Sequence, residues 1–356
     1  MNKKYILIGL VVFALIMIPV VKNWQGDKEK PVDPVNVEKA AAQIIAPDLN
    51  EQYTIGEDLI VQLKLNDSEN AQDVSVQIAG QQLEKKSETE YVIGTSELPV
   101  GNLPVILSYQ DKSNKMHEEK RNITLFSDVD PKEQKVRVIN QYPHSVSSYT
   151  QGLEFHNGSL FESTGQYGTS FIAEVDVNTS DILRKVDLAS TYFGEGITIL
   201  DSTIYQITWQ AGLCKTYDLN FNPKGELSYV GQGWGLTNNG KSIIMSNGSD
   251  RIFWRDPITF QVTKEIQVFN NESSFTQINE LELIGDRLYA NIYTDDLIIE
   301  IDTANGKVLS HVDCSELVRQ QPIGVDYFNG IAHNAVNGKT YVTGKLWPVL
   351  YEVTFE

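Results

Sequence analysis

A carboxylate, a lysine, three side-chain amides and three large aromatic rings fall at equivalent places of one repeated phrase. The phrase opens five times, as Gln151-Gly-Leu-Glu154, Glu195-Gly-Ile-Thr198, Trp234-Gly-Leu-Thr237, Asn279-Glu-Leu-Glu282 and Asn329-Gly-Ile-Ala332. Fourteen residues beyond each first residue a second apolar segment ends, at Gly165, Trp209, Gly248 and Tyr293; in the last copy it ends after sixteen, at Lys345. Self-similarity at a fixed period means a closed or stacked array, so equivalent slots meet in space. Gln151, Glu195, Trp234, Asn279 and Asn329 then share one end of the array with Trp209, Tyr293 and Lys345. Apolar walls with a few polar groups make a ligand pocket. Each member also has a plainer reading. Glu195 would be a loop carboxylate and Lys345 a rim charge, the rings would pack, and the amides would satisfy backbone groups. Their joint occurrence on one face argues against eight independent structural roles.

The elements that position these residues are short strands. The apolar anchors of the five openings, Leu153, Ile197, Leu236, Leu281 and Ile331, are spaced by 44, 39, 45 and 50 residues. Such periods suit four-stranded propeller blades. The segments Leu160-Phe161, Ile204-Tyr205, Ile243-Ile244, Leu288-Tyr289 and Thr340-Tyr341 are β-branched or aromatic, which disfavours helical repeats. The chain stops after the third strand of the fifth copy. The strand Val136–Gln141, just before the first copy, is expected to supply the missing outer strand and remove an exposed edge.

Ahead of the repeats, from about residue 38 to 128, alternation of period two runs through Leu59, Val61, Leu63 and Leu65, and again through Val105, Leu107 and Tyr109. Turn residues separate the runs, so a small antiparallel sandwich, immunoglobulin-like in outline, is expected there. At the N-terminus Asn2-Lys3-Lys4 precedes an uncharged run of 17 residues, Tyr5 to Val21. That is near the lower limit for a membrane-spanning helix, and the flanking lysines predict an N-in orientation. A cleaved signal peptide is the rival, but no small-residue cleavage site follows. The expected organisation is all-β beyond the anchor. Residues 1–22 form an anchor or signal segment, 23–37 a linker, 38–128 the sandwich and 135–356 a five-bladed β-propeller, with both folded parts outside the cytoplasm.

The 356 residues carry a net charge of −18, which argues against a nucleic-acid partner because phosphate neutralisation needs a basic stripe. Two cysteines, Cys214 and Cys314, are too few for a disulfide framework and fall in different copies. The five histidines show no ligand spacing, so a zinc site is unsupported. Glu280 and Glu282 are expected to be structural, because Glu280 falls where the other copies have glycine.

Seven motifs in order carry a family resemblance: Thr150-Gln-Gly-Leu153, Phe193-Gly-Glu-Gly-Ile-Thr198, Gly233-Trp-Gly-Leu236, Asn279-Glu-Leu-Glu282, Ala290-Asn-Ile-Tyr293, Asn329-Gly-Ile-Ala332 and Thr343-Gly-Lys-Leu-Trp-Pro348. The region from about 136 to 356 resembles the plant-type glutaminyl cyclases, which are glutaminyl-peptide cyclotransferases on a five-bladed propeller. The resemblance implies conversion of N-terminal glutamine of peptides or proteins to pyroglutamate with loss of ammonia. It implies Glu195 as the catalytic acid–base. Trp209 and Trp234, with Phe193 and Tyr149 beside them, would be pocket aromatics, and Gln151, Asn279 and Lys345 polar positioning groups. Lys345 or an amide would stabilise the oxyanion, and Asn329 joins the substrate-binding set by its slot. Tyr293 departs from the family pattern, where tryptophan is usual, and Tyr149 stands where phenylalanine is usual. The family is similar in needing no catalytic metal. A structural calcium ion is compatible with the sequence but not indicated by it. Two other readings stay open: a propeller that captures peptides without turnover, and a calcium-dependent propeller lactonase using Glu195, Asn279 and Asn329. Lys345 at the same mouth would repel a cation.

Overall fold

A computed structural model describes residues 40–356. The expected anchor, 1–22, and linker, 23–37, lie outside the described residues. Among those described, the only α-helix is Ser315–Arg319, and no helix is long and apolar enough to cross a membrane. Apart from two single 3-10 turns, at Ser68–Asn70 and Thr95–Glu97, the rest of the described residues are strand and turn, an all-β structure.

The first part is two facing sheets. One holds Ala42–Ala46, Asp58–Leu65, Glu90–Gly94 and Glu84–Lys85; the other holds Glu51–Thr54, Met116–Phe126, Gly101–Gln110, Gln72–Ile78 and Gln81–Gln82. Period-two alternation explains the layering, because successive side chains of a strand point to opposite faces. Leu59, Val61 and Leu63 point inward from one sheet to meet Val105, Leu107, Ile123 and Leu125 from the other in one buried cluster. Phe269, from beyond this region, completes that cluster and stands 6.0 Å from Phe126. Asn102 N–H donates to Gln267 Oε1 at 2.8 Å, and Lys307 Nζ reaches Asp128 Oδ1 at 2.6 Å. The two-sheet layer is thus fixed to the outer parts of the repeats.

The second part is a propeller-like ring of five four-stranded antiparallel units. The first comprises Thr150–His156, Ser159–Thr164, Phe171–Val175 and Ile182–Asp187. The second runs Gly194–Leu200, Thr203–Thr208, Leu213–Asp218 and Pro223–Ser228. The third runs Leu236–Asn238, Ile243–Ser246, Arg251–Arg255 and Val262–Gln267, and the fourth Ile278–Ile284, Arg287–Ile292, Leu297–Asp302 and Val308–Asp313. The fifth has Phe328–Asn334, Lys339–Gly344 and Val349–Phe355, and takes its outer strand from Lys132–Pro143. Each first strand packs against the first strands of its neighbours, and the fifth closes on the first.

Closure uses the N-terminal strand as its sequence position implies, with Val136 opposite Phe355 and Pro143 opposite Val349. The same strand does more than expected. Its first four residues pair in parallel with Ser310–Asp313, so one strand ties the fourth unit to the fifth. Around the axis the inner strands approach until a side chain no longer fits: a Cβ on Gly235 would lie 2.1 Å from the Asn279 carbonyl oxygen. Glu280 replaces glycine in the fourth unit. Its carboxylate accepts from Ile331 N at 2.8 Å and Leu153 N at 3.3 Å, so it joins the fourth unit to the fifth and first. Glu282 accepts from His333 N at 2.6 Å. Both carboxylates satisfy backbone donors across the channel, the structural part their sequence position suggests.

Candidate active site

The slot residues sit on irregularities of the inner strands. In the first, second, fourth and fifth units the pairing of first and second strands slips, between Thr150 and Gly152, Gly194 and Ile197, Ile278 and Leu281, and Phe328 and Ile331. Gln151, Glu195, Asn279 and Asn329 are among the residues left unpaired there, with Gly196, Glu280 and Gly330 following the last three. A bulge bends the strand and re-aims its side chain, here at the mouth of the ring. Ser163 Oγ donates to the Glu195 carbonyl oxygen, and Gln206 Nε2 holds Ser163 Oγ at 2.9 Å.

A cavity of about 220 Å³ opens at this mouth. Gln151, Glu195, Trp234 and Asn279 line it from the starts of inner strands, and Trp209, Tyr293 and Lys345 from the ends of second strands. Tyr149 and Phe193, each two residues ahead of its slot, complete the walls together with Gln166. Asn329 is not among the lining residues. It is buried behind Gln151, where its Nδ2 donates to Thr150 O at 3.1 Å and reaches Gln151 Oε1 at 3.4 Å. The glycines at the slots 165 and 248 have a purpose of their own. A Cβ on Gly165 would lie 2.4 Å from Phe193 Cε1, and one on Gly248 2.6 Å from Trp234 Cζ2. The missing side chains are seats for these two rings.

Glu195 is 4% exposed and Lys345 3%. Burial pushes the Glu195 carboxyl well above the ordinary carboxylate range, and the Lys345 charge pulls it back. Burial depresses the Lys345 ammonium, opposed by Glu195 and then by Asp326. No direct ion pair joins the two among the described residues. Instead Lys345 Nζ lies over the rings of Tyr149 and Tyr293, 5.1 and 4.9 Å from their centres, a cation–π arrangement. Burial and the neighbouring Asp326 carboxylate both push the Tyr149 hydroxyl up. Asn279 Oδ1 is buried without a hydrogen-bond partner. Buried acceptors are normally satisfied, so this one is open to a donor from a ligand.

A second buried pair supports the loops that carry this set. His144 Nε2 meets Glu162 Oε1 at 3.2 Å and His144 Nδ1 meets Trp347 O at 2.8 Å. Both partners are acceptors, so both ring nitrogens carry protons and His144 is an imidazolium. Burial alone would lower its pKa; the charge and hydrogen bond of Glu162 outweigh that and raise it. Burial alone would raise the pKa of Glu162; the His144 charge and the hydroxyls of Thr150 and Ser148 outweigh that and lower it. Leu346 N donates to Ser148 O at 2.8 Å. The segment holding Tyr149 and Gln151 is thereby fixed to the one holding Lys345.

With this geometry the glutamine cyclotransferase family matches residues 108–355, well over half of the chain. The chain belongs to the glutamine cyclotransferase family. It is 37% identical over 228 residues to the glutaminyl-peptide cyclotransferase of Arabidopsis thaliana, covering 62% of this chain and 71% of the relative. It is similar to the crystal structure of Myxococcus xanthus glutaminyl cyclase, with 31% identity and a TM-score of 0.60 over 64% of this chain and 99% of the other. The family match starts at Ser108, inside the two-sheet part, earlier than the resemblance from about residue 136. Two residues near the site were missed by reasoning on slots. Gln166 follows the glycine slot 165, so its neighbour was the only signal for it. Gln232 accepts from both Trp209 Nε1 and Trp234 Nε1, at 2.8 and 2.9 Å, and lies on a loop outside the repeated phrase.

Proposed function

We propose that this member of the glutamine cyclotransferase family converts N-terminal glutamine of peptides or proteins to pyroglutamate and releases ammonia at the cavity around Glu195. The observation that carries this reading is a buried carboxylate of raised pKa facing an aromatic-walled cavity that also holds a buried lysine. A general base works best when its pKa lies near the working pH, and burial moves Glu195 in that direction.

The reaction joins the α-amine nitrogen to the side-chain amide carbon and breaks that carbon's bond to the amide nitrogen. Both reacting groups belong to one residue, so the protein gains mainly by holding the folded conformer. Trp209, Trp234, Phe193 and Tyr293 supply walls that press the side chain into that shape and exclude water. Ionised Glu195 takes the proton from the attacking amine and gives it to the departing nitrogen, which leaves as ammonia. The oxygen of the tetrahedral intermediate carries negative charge, and Lys345 or an amide donor of Gln151 stabilises it. Asn279 Oδ1 accepts a hydrogen bond from the substrate. This scheme balances without an added cofactor, and Lys345 beside Glu195 disfavours a divalent cation there.

We also propose that the ring is a five-bladed β-propeller of residues 135–356 and that 38–128 is an immunoglobulin-like domain. Residues 1–22 would anchor both outside the cytoplasm, in the cell envelope. The functional test is incubation with a short glutamine-initiated peptide, following ammonia and the matching mass loss. Turnover is expected. A folded protein that binds the peptide without turnover would instead support the peptide-capture reading.

A further inference from the structure

Trp209 and Trp234 come from different units of the ring, yet their indole N–H groups share a single acceptor, Oε1 of Gln232. An indole nitrogen only donates, so the amide must present its oxygen to both rings. The side chain is exposed, on the loop between Pro223–Ser228 and Leu236–Asn238. Glycines flank it. Gly231 has φ 93°, and a Cβ on Gly233 would lie 2.3 Å from the Tyr229 hydroxyl oxygen. Gly233 N donates to the Trp209 carbonyl oxygen at 3.0 Å, so the loop is fastened to one of the two tryptophans it bridges.

Each tryptophan belongs to a separate group of rings. Phe193 stands edge-on to Trp209, with centres 5.6 Å apart, and Tyr149 and Tyr167 pack on Phe193. Tyr293 stands edge-on to Trp234, also at 5.6 Å, with Tyr327 behind it. No ring-to-ring contact joins the two groups among the described residues. Gln232 is the hydrogen-bonded link between them.

We propose that Gln232 is a positioning residue for the cyclisation, setting the spacing and tilt of the two indole walls between which the glutamine side chain folds. The inference rests on the cyclisation reading above. It follows from two features of the site. Both indoles are only partly buried, so packing against neighbouring rings holds each from one side and leaves the other to the shared hydrogen bond. A ring closure accelerated by conformer selection is sensitive to small displacements of its walls.

The test compares full-length protein with Gln232→Leu, which keeps the bulk and loses the acceptor, and Gln232→Glu, which keeps an acceptor oxygen. Four quantities are read: kcat and KM on a glutamine-initiated peptide, acrylamide quenching of tryptophan fluorescence without substrate, and the thermal midpoint. Gln232→Leu is expected to lower kcat/KM by about 10- to 100-fold. It should also increase quenching and leave the midpoint unchanged, because the side chain is exposed. Gln232→Glu should restore both turnover and quenching to near the original values. Unchanged kcat/KM in Gln232→Leu, or equal loss in both variants, would overturn the inference. If the unsubstituted protein does not turn over the peptide, the cyclisation reading fails and the inference fails with it. The quenching result still reports whether Gln232 restrains the indoles.

Discussion

Glu195 and Lys345 stand in the second and fifth units of the ring and line one cavity, yet they form no direct ion pair. Burial drives the carboxyl up and the ammonium down, while each charge favours the ionised form of the other. Lys345→Met removes the cation beside Glu195, so the Glu195 pKa rises further. Activity needs ionised Glu195, so the acid limb of the pH–rate profile moves to higher pH. Where Lys345 rather than Gln151 carries the oxyanion, its loss lowers kcat roughly 100-fold in addition. A pH–rate profile of the variant checks both statements.

The buried His144–Glu162 pair makes a separate prediction about stability. Glu162 has a lowered pKa, so its contribution is present above its ordinary value of 4.5 and is lost as pH falls through the lowered one. His144 has a raised pKa, so its contribution is complete below its ordinary value of 6.5 and is lost as pH rises through the raised one. Glu162→Gln leaves a buried imidazolium unpaired and is expected to cost about 3–5 kcal/mol. The difference from the unsubstituted protein should be largest between pH 4.5 and 6.5. Urea unfolding across that range and on both sides of it measures the profile.

Asn279 shows the opposite signature. Its Oδ1 is buried and unpartnered, so truncation to alanine removes an uncompensated acceptor. Asn279→Ala should leave thermal stability equal or slightly higher while raising KM about tenfold, the loss of one substrate hydrogen bond. Steady-state kinetics beside a melting curve distinguishes this from general damage to the fold.

The acid–base scheme and the calcium-lactonase reading part on one reagent. Turnover of the glutamine-initiated peptide is expected to survive EDTA at full rate. Activity that disappears with the chelator and returns with calcium would favour the metal reading.

The placement of seven site residues around one cavity was legible because a fixed repeat fixes equivalent positions, and ring closure then brings them together; Tyr149 and Phe193 were indicated only by the family resemblance. Asn329 obeyed the repeat in position but not in exposure. Its amide is drawn to the Thr150 carbonyl oxygen, a tertiary bond that no spacing rule contains. Glu280 could be set apart from the site because it interrupts a run of glycines, although its two backbone partners lie in other units. The strand alternation of Asp58–Leu65 gave its inward face directly. The bulges at Gln151, Glu195, Asn279 and Asn329 left no mark in sequence, because a bulge is a relation between two strands. The same holds for the parallel pairing of residues 132–135 and for Gln232, an exposed glutamine in a glycine-rich loop that gains its place only when two units meet.

The most direct test compares the unsubstituted protein with Glu195→Gln on one glutamine-initiated peptide, measuring pyroglutamyl product by mass spectrometry and peptide binding by calorimetry. Removing a general acid–base typically costs about 10²–10⁴-fold in rate. The unsubstituted protein should form product and ammonia in equal amounts, and Glu195→Gln should bind the peptide but turn it over at least about 100-fold more slowly. Turnover by Glu195→Gln near the original rate would contradict the assignment of proton transfer to this carboxylate.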